Sequence, residues 1–191
     1  VLSALLALFV RDRLAKPRGG DDEVATEFFR RYHAAGIHRD TYWLGVPIQQ
    51  TPTDMWMVQQ ILTELRPDVL VETGTLKGGS SLYYASVLQA MGSDAKVVTV
   101  DIEAQVDRAA ELEVFRERVI PIVGDSVAPE TIEKVAAVVR GRPALVLLDS
   151  YHGRDHVLEE LRLYARFVPV GGYMIVFDTD LNGHPVRPDY G

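Results

Sequence analysis

A length of 191 residues suits one domain with its own core, and 47% hydrophobic with 25% charged residues is an ordinary globular balance. A net charge of −7 gives no basic footprint for nucleic acid, and the absence of cysteine excludes disulfides and thiolate metal sites. The acidic, cysteine-free chain fits a cytoplasmic protein that takes a small neutral or cationic ligand.

Residues 1–10 are apolar but too few to cross a bilayer, which needs about 20. They read as a short helix packed on the domain or on a second subunit, with a signal-peptide core as the alternative. Residues 16–22 are charged and rich in breakers, hence a linker. Helical spacing then covers 23–35, with Val24, Phe28, Phe29 and Tyr32 on one side. These 40 residues read as a helical extension ahead of a domain over 41–191. Residues 42–47 form an aromatic loop, and Thr53-Asp54 is expected to cap a helix that runs to Leu65.

Beyond Pro67 the pattern is regular: apolar strands over 69–72, 96–101, 119–124, 144–149 and 171–178 alternate with helices over 80–91, 112–118, 129–140 and 156–167. Continuously apolar strands in alternation with helices indicate an α/β fold, an open parallel sheet with helices on both faces. Glu72, Asp101, Asp149 and Asp178 end four of the strands and Asp125 follows the remaining one. Ligands of such sheets bind at the carboxyl ends of the strands, so five acids are expected around the ligand.

Gly74, Gly78 and Gly79 follow the first of these strands in the spacing G-x-x-x-G-G, unlike the G-x-G-x-x-G of dinucleotide binders. With Glu72 beside them, a pyrophosphate would be repelled, which disfavours an NAD-dependent oxidoreductase. A cationic methionyl group such as that of S-adenosylmethionine suits the same loop. Asp101 is placed for ribose hydroxyls, and Asp125 and Ser126 for adenine. The plainer reading, that these acids cap helix N-termini, is common for one of them and strained for five.

The blocks 72–81 (ETGTLKGGSS), 148–157 (LDSYHGRDHV) and 178–186 (DTDLNGHPV), together with 43–47 (WLGVP) and Asp54, resemble the cephalosporin hydroxylase family. Despite its name, that family is similar to class I S-adenosylmethionine-dependent methyltransferases and includes rhamnosyl O-methyltransferase-like proteins. The resemblance runs from about Trp43 to the end of the chain. It implies a Rossmann-like class I methyltransferase fold and O-methylation of a hydroxyl on a sugar or other natural product. It implies cofactor contacts from Glu72, Gly74, Thr75, Gly78, Gly79, Ser80, Asp101, Ile102, Asp125, Ser126 and Asp149.

It further implies Asp149 and Asp178 as ligands of Mg²⁺, and His152 as general base in an Asp-x-x-His spacing with Asp149. Asp180 is a further candidate ligand. Phe177 and Tyr151 stand where relatives carry acids, and a module that binds the cofactor without catalysis is the alternative those positions raise. A non-haem iron oxygenase, which the family name suggests, would need a two-histidine facial triad, usually on a β-barrel. His156 reads as structural, His184 as a substrate-side residue, and Tyr42, Trp43 and Trp56 as core or as an aromatic wall. The C-terminal hairpin of this fold class is not among these residues, so the edge of the last strand is expected to be covered by further chain or by a second copy in a homo-oligomer.

Overall fold

The computed structural model describes residues 21–103 and 105–179. The expected helix at residues 1–10 and the candidates Asp180 and His184 lie outside them. Helix α1 (Asp21–Ala34) is followed by a 3₁₀ turn (Ile37–Asp40). The aromatic loop is in fact a minimal hairpin, β1 (Tyr42–Trp43) antiparallel to β2 (Val46–Pro47). Leu44 and Gly45 both have positive φ, 50° and 80°, the signature of a tight two-residue hairpin turn.

Helix α2 (Pro52–Leu65) starts one step earlier than Thr53-Asp54: Thr51 is the extended N-cap, and Pro52 takes the first turn, where its missing N–H costs nothing. Arg66 then leaves the helix in the left-handed conformation before Pro67.

The main sheet contains β3 (Val69–Thr73), β4 (Lys96–Asp101), β5 (Val119–Val123), β6 (Ala144–Leu148) and β7 (Met174–Val176). All pairings are parallel, in the order β5-β4-β3-β6-β7. The connecting helices are α3 (Gly79–Ala90), α4 (Asp107–Ala110), α5 (Glu113–Arg118), α6 (Pro129–Val139) and α7 (Arg154–Tyr164), the last followed by a 3₁₀ turn (Ala165–Phe167). The last strand is shorter than its apolar run. Gly171, at φ 87°, and a turn bond from Gly172 N–H to Pro169 O occupy the residues before it.

Period-two alternation sends each strand's side chains to two cores. Leu70, Val97, Leu145 and Leu147 join helices α2, α3 and α5, while Val69, Val71, Val98, Val100, Val146 and Leu148 meet α6 and α7. Both β3 and β6 are buried at every position, as expected for central strands covered on both faces. The sheet order reverses direction at β3, with β4 on one side and β6 on the other. Loops after these two strands therefore diverge and leave a crevice between them.

Candidate functional site

A cleft of about 410 Å³ occupies that crevice, a size ordinary for a small-molecule site. The loops after β3, β4, β5 and β6 line it, and residues 47–50, following the hairpin, roof it. Two glycines make this closeness possible. A Cβ on Gly74 would sit 2.0 Å from the backbone oxygen of Asp149, so the β3 and β6 loops touch only without one. A Cβ on Gly79 would sit 2.1 Å from the Pro47 oxygen, so the roof rests directly on the start of α3.

Gly74, Thr75, Gly79, Ser80, Asp101, Ile102, Asp125, Ser126, Asp149, His152 and Asp178 all line the cleft. Asp101 is held at its mouth: Leu76 N–H donates to Oδ2 at 2.8 Å and Glu103 N–H to Oδ1 at 3.1 Å. Beside it Ile102 is 71% exposed, a bare apolar surface at the rim. Asp125 turns the β5 loop by accepting from Val127 N–H at 3.0 Å.

Gly78 and Glu72 are placed elsewhere. Gly78 points away from the cleft, toward Phe115, Ala109 and Val106, and its φ of 77° marks the left-handed entry to α3. Glu72 is fully buried and is not among the residues that line the cleft. The reason is register: Glu72 opposes Thr99 on β4 and Leu147 on β6, so its side chain lies under α3. There Oε2 accepts from Ser81 Oγ and, at 2.7 Å, from Thr99 Oγ1, whose neighbour Thr75 Oγ1 is 2.7 Å away. Burial pushes its carboxyl up to about 7; hydrogen bonds from Ser80, Ser81 and Thr99 oppose the rise, and the charge of Asp101 adds to it.

At the β6 end Asp149, His152 and Asp178 converge, each offering a ligand atom within 4.8 Å of the others. His152 Nε2 lies 3.1 Å from Asp178 Oδ2. Burial, then the charges of Asp178 and Glu72, hold Asp149 well above the usual carboxylate range, against a lowering hydrogen bond from Gln50. Two carboxylates that repel each other fit a hard cation such as Mg²⁺, which one or two carboxylates commonly hold together with water and substrate. Phe177 packs in the core and offers no ligand, and Tyr151 stands 61% exposed at the rim.

Gln50 had no mark in the sequence, yet its amide donates to Asp149 Oδ2 from a nearly buried position. Only the left-handed Gln49, at φ 51°, turns it into the cleft, and nothing in a Gln-Gln pair signals that conformation. Lys77 and Tyr151 also line the cleft. His156, read as structural, lines it too, from within α7. Tyr42, Trp43 and Trp56 do not line it; Trp43 stacks edge-on against Tyr83 at 4.9 Å and donates to Ser86 Oγ.

The sequence profile of the family described as rhamnosyl O-methyltransferase/CmcI matches residues 35–191. A rhamnosyl O-methyltransferase from Mycobacterium bovis is 33% identical over 193 residues, covering 100% of this chain and 76% of its own length. One from Mycobacterium leprae is 34% identical over 173 residues, covering 89% and 74%. Among solved structures, CmcI in its apo form aligns with a TM-score of 0.60 at 22% identity, over 79% of this chain and 62% of that one. CmcI with Mg and SAM aligns equally well, over 78% and 62%. The chain thus spans about three fifths of the length of those solved chains, and the likeness extends to the fold.

Proposed function

The chain belongs to the rhamnosyl O-methyltransferase/CmcI family, and on that premise we propose that it methylates a sugar hydroxyl with S-adenosylmethionine as donor. The observation that carries this reading is the joining of two half-sites in one cleft. Asp101 stands at the end of β4, where a ribose would be read, and the Asp149, His152 and Asp178 cluster stands at the end of β6, where a hydroxyl would react. The mycobacterial relatives, by name rhamnosyl O-methyltransferases, support a sugar acceptor, and the solved CmcI with Mg and SAM supports the cofactor.

Each part of the cofactor has a matching surface. Backbone N–H groups at the start of α3, with Ser80, suit the methionyl carboxylate. Asp101 accepts from the ribose hydroxyls, and its fixed orientation lowers the entropy cost of that contact. Ile102 and Ser126 bound the adenine end. His152, oriented by Asp178, takes the proton of the acceptor hydroxyl as its oxygen forms a bond to the methyl carbon. The methyl–sulfur bond breaks, its electron pair stays on sulfur, and neutral S-adenosylhomocysteine leaves. Because the sulfonium donor is already activated, alignment of oxygen, carbon and sulfur supplies much of the remaining acceleration. Mg²⁺ held by Asp149 and Asp178 would lower the pKa of the acceptor hydroxyl.

Formation of S-adenosylhomocysteine with a rhamnoside acceptor tests the proposal. Parent protein is expected to form it, and His152→Ala to form it about 10²–10⁴-fold more slowly with unchanged cofactor affinity. Cofactor binding with no turnover on any sugar acceptor would favour the module without catalysis instead.

A further inference from the structure

His156 and Glu160 form a polar pair outside the reacting end of the cleft. Glu160 is fully buried on α7, and its Oε1 accepts from Ser150 Oγ at 2.7 Å. His156 Nε2 lies 3.5 Å from that same oxygen, 3.1 Å from Ser126 Oγ and 3.3 Å from Ser150 Oγ. Two loops, those after β5 and β6, are tied to α7 here, because Tyr164 on the same helix also donates to Ser126 O at 3.0 Å. The exposed Tyr151 ring packs edge-on against His156, with centroids 5.7 Å apart. Ser126, Ser150 and His156 all line the cleft.

The chemistry of the pair fixes the direction of both hydroxyls. A carboxylate oxygen accepts only, so the Ser150 proton points inward and its outward lone pair is left to accept. An Nε2 facing a carboxylate carries the hydrogen, since two lone pairs would otherwise oppose each other. That one hydrogen is shared between Glu160 Oε1 at 3.5 Å and the nearer Ser126 Oγ at 3.1 Å, so the Ser126 proton is free to donate outward. The wall therefore presents one donor, Ser126, and one acceptor, Ser150. An aminopurine edge carries the complement, a ring nitrogen that accepts and an amino group that donates. A 6-oxopurine reverses both.

We propose that His156 and Glu160 are positioning residues that make the cleft select an aminopurine over an oxopurine cofactor, by orienting Ser126 and Ser150. The inference rests on the assignment of this cleft to an adenosyl cofactor. The test is calorimetric titration with S-adenosylhomocysteine and with its deaminated analogue, S-inosylhomocysteine. Parent protein is expected to bind the adenosyl form at least about tenfold more tightly, as sites built around hydrogen bonds reject mismatched groups. His156→Phe and Glu160→Gln are expected to narrow the ratio to within about threefold. Loss of structural support alone would weaken both ligands together and leave the ratio unchanged. Equal affinities in the parent would overturn the inference and leave the cofactor assignment standing, as would an unchanged ratio in a folded His156→Phe variant. Absence of binding by either ligand to folded parent protein would overturn the cofactor assignment itself, and the inference with it.

Discussion

At Glu72 the fold keeps a carboxyl that its surroundings favour in the neutral form. Its folded pKa of about 7 lies above the ordinary value of 4.5, so the native state binds the proton more tightly than the unfolded chain. The associated stability is present below about 4.5 and is lost as pH rises toward 7. Glutamine keeps the oxygen that accepts from Ser81 and Thr99 and removes the titration. Glu72→Gln is therefore expected to match the parent in melting temperature near pH 4 and to exceed it by a few °C at pH 8, as followed by circular dichroism. A parent with the same pH slope as the variant would contradict this account of Glu72. Asp101 is a different kind of acid, half-buried at the cleft mouth and pre-oriented by two backbone N–H groups. Asp101→Ala is expected to weaken S-adenosylmethionine by tenfold or more, about 1.4 kcal/mol, in a protein that still folds. Unchanged affinity would remove Asp101 from the ribose position.

At the scale of elements, the cleft depends on backbones meeting without side chains between them. Gly79 has an ordinary helical conformation, yet its absent Cβ would strike the Pro47 oxygen, so the constraint is one of space. Gly79→Ala is expected to cost about 1–3 kcal/mol in chemical denaturation and to weaken cofactor binding by lifting the roof over Ser80. A neutral substitution would mean that residues 47–50 do not rest on α3. The strands were legible because β6 is an unbroken apolar run and β3 and β4 are mostly apolar, with acids toward their ends at the sheet edge. Asp149 and Asp178 were legible as acids at strand ends and His152 through the family resemblance, and the structure brings the three together. The burial of Glu72 under α3 was not legible, because a residue near the end of a strand can face either the crevice or a covering helix. Pleat parity decides this, and parity needs the register with Thr99 and Leu147. Gln50 and His156 were illegible for another reason: both reach the cleft through contacts distant in sequence, with Asp149 and with Ser126.

For the molecule as a whole, the sheet order β5-β4-β3-β6-β7 sets a cofactor side and a reacting side around the reversal at β3. The formal charge of −7 and the clustered acids at the β6 end give the cleft a field that favours a cationic donor and a divalent ion. Among the described residues no helix is long and apolar enough to cross a membrane. The central claim is that this cleft takes S-adenosylmethionine in preference to a dinucleotide. Calorimetric titration of the chain with S-adenosylmethionine and with NAD, each with and without Mg²⁺, tests it most directly. The account predicts micromolar binding of S-adenosylmethionine, none of NAD, and an Mg²⁺ response that disappears in Asp178→Ala. Binding of NAD, or no binding of S-adenosylmethionine by a folded sample, would contradict it.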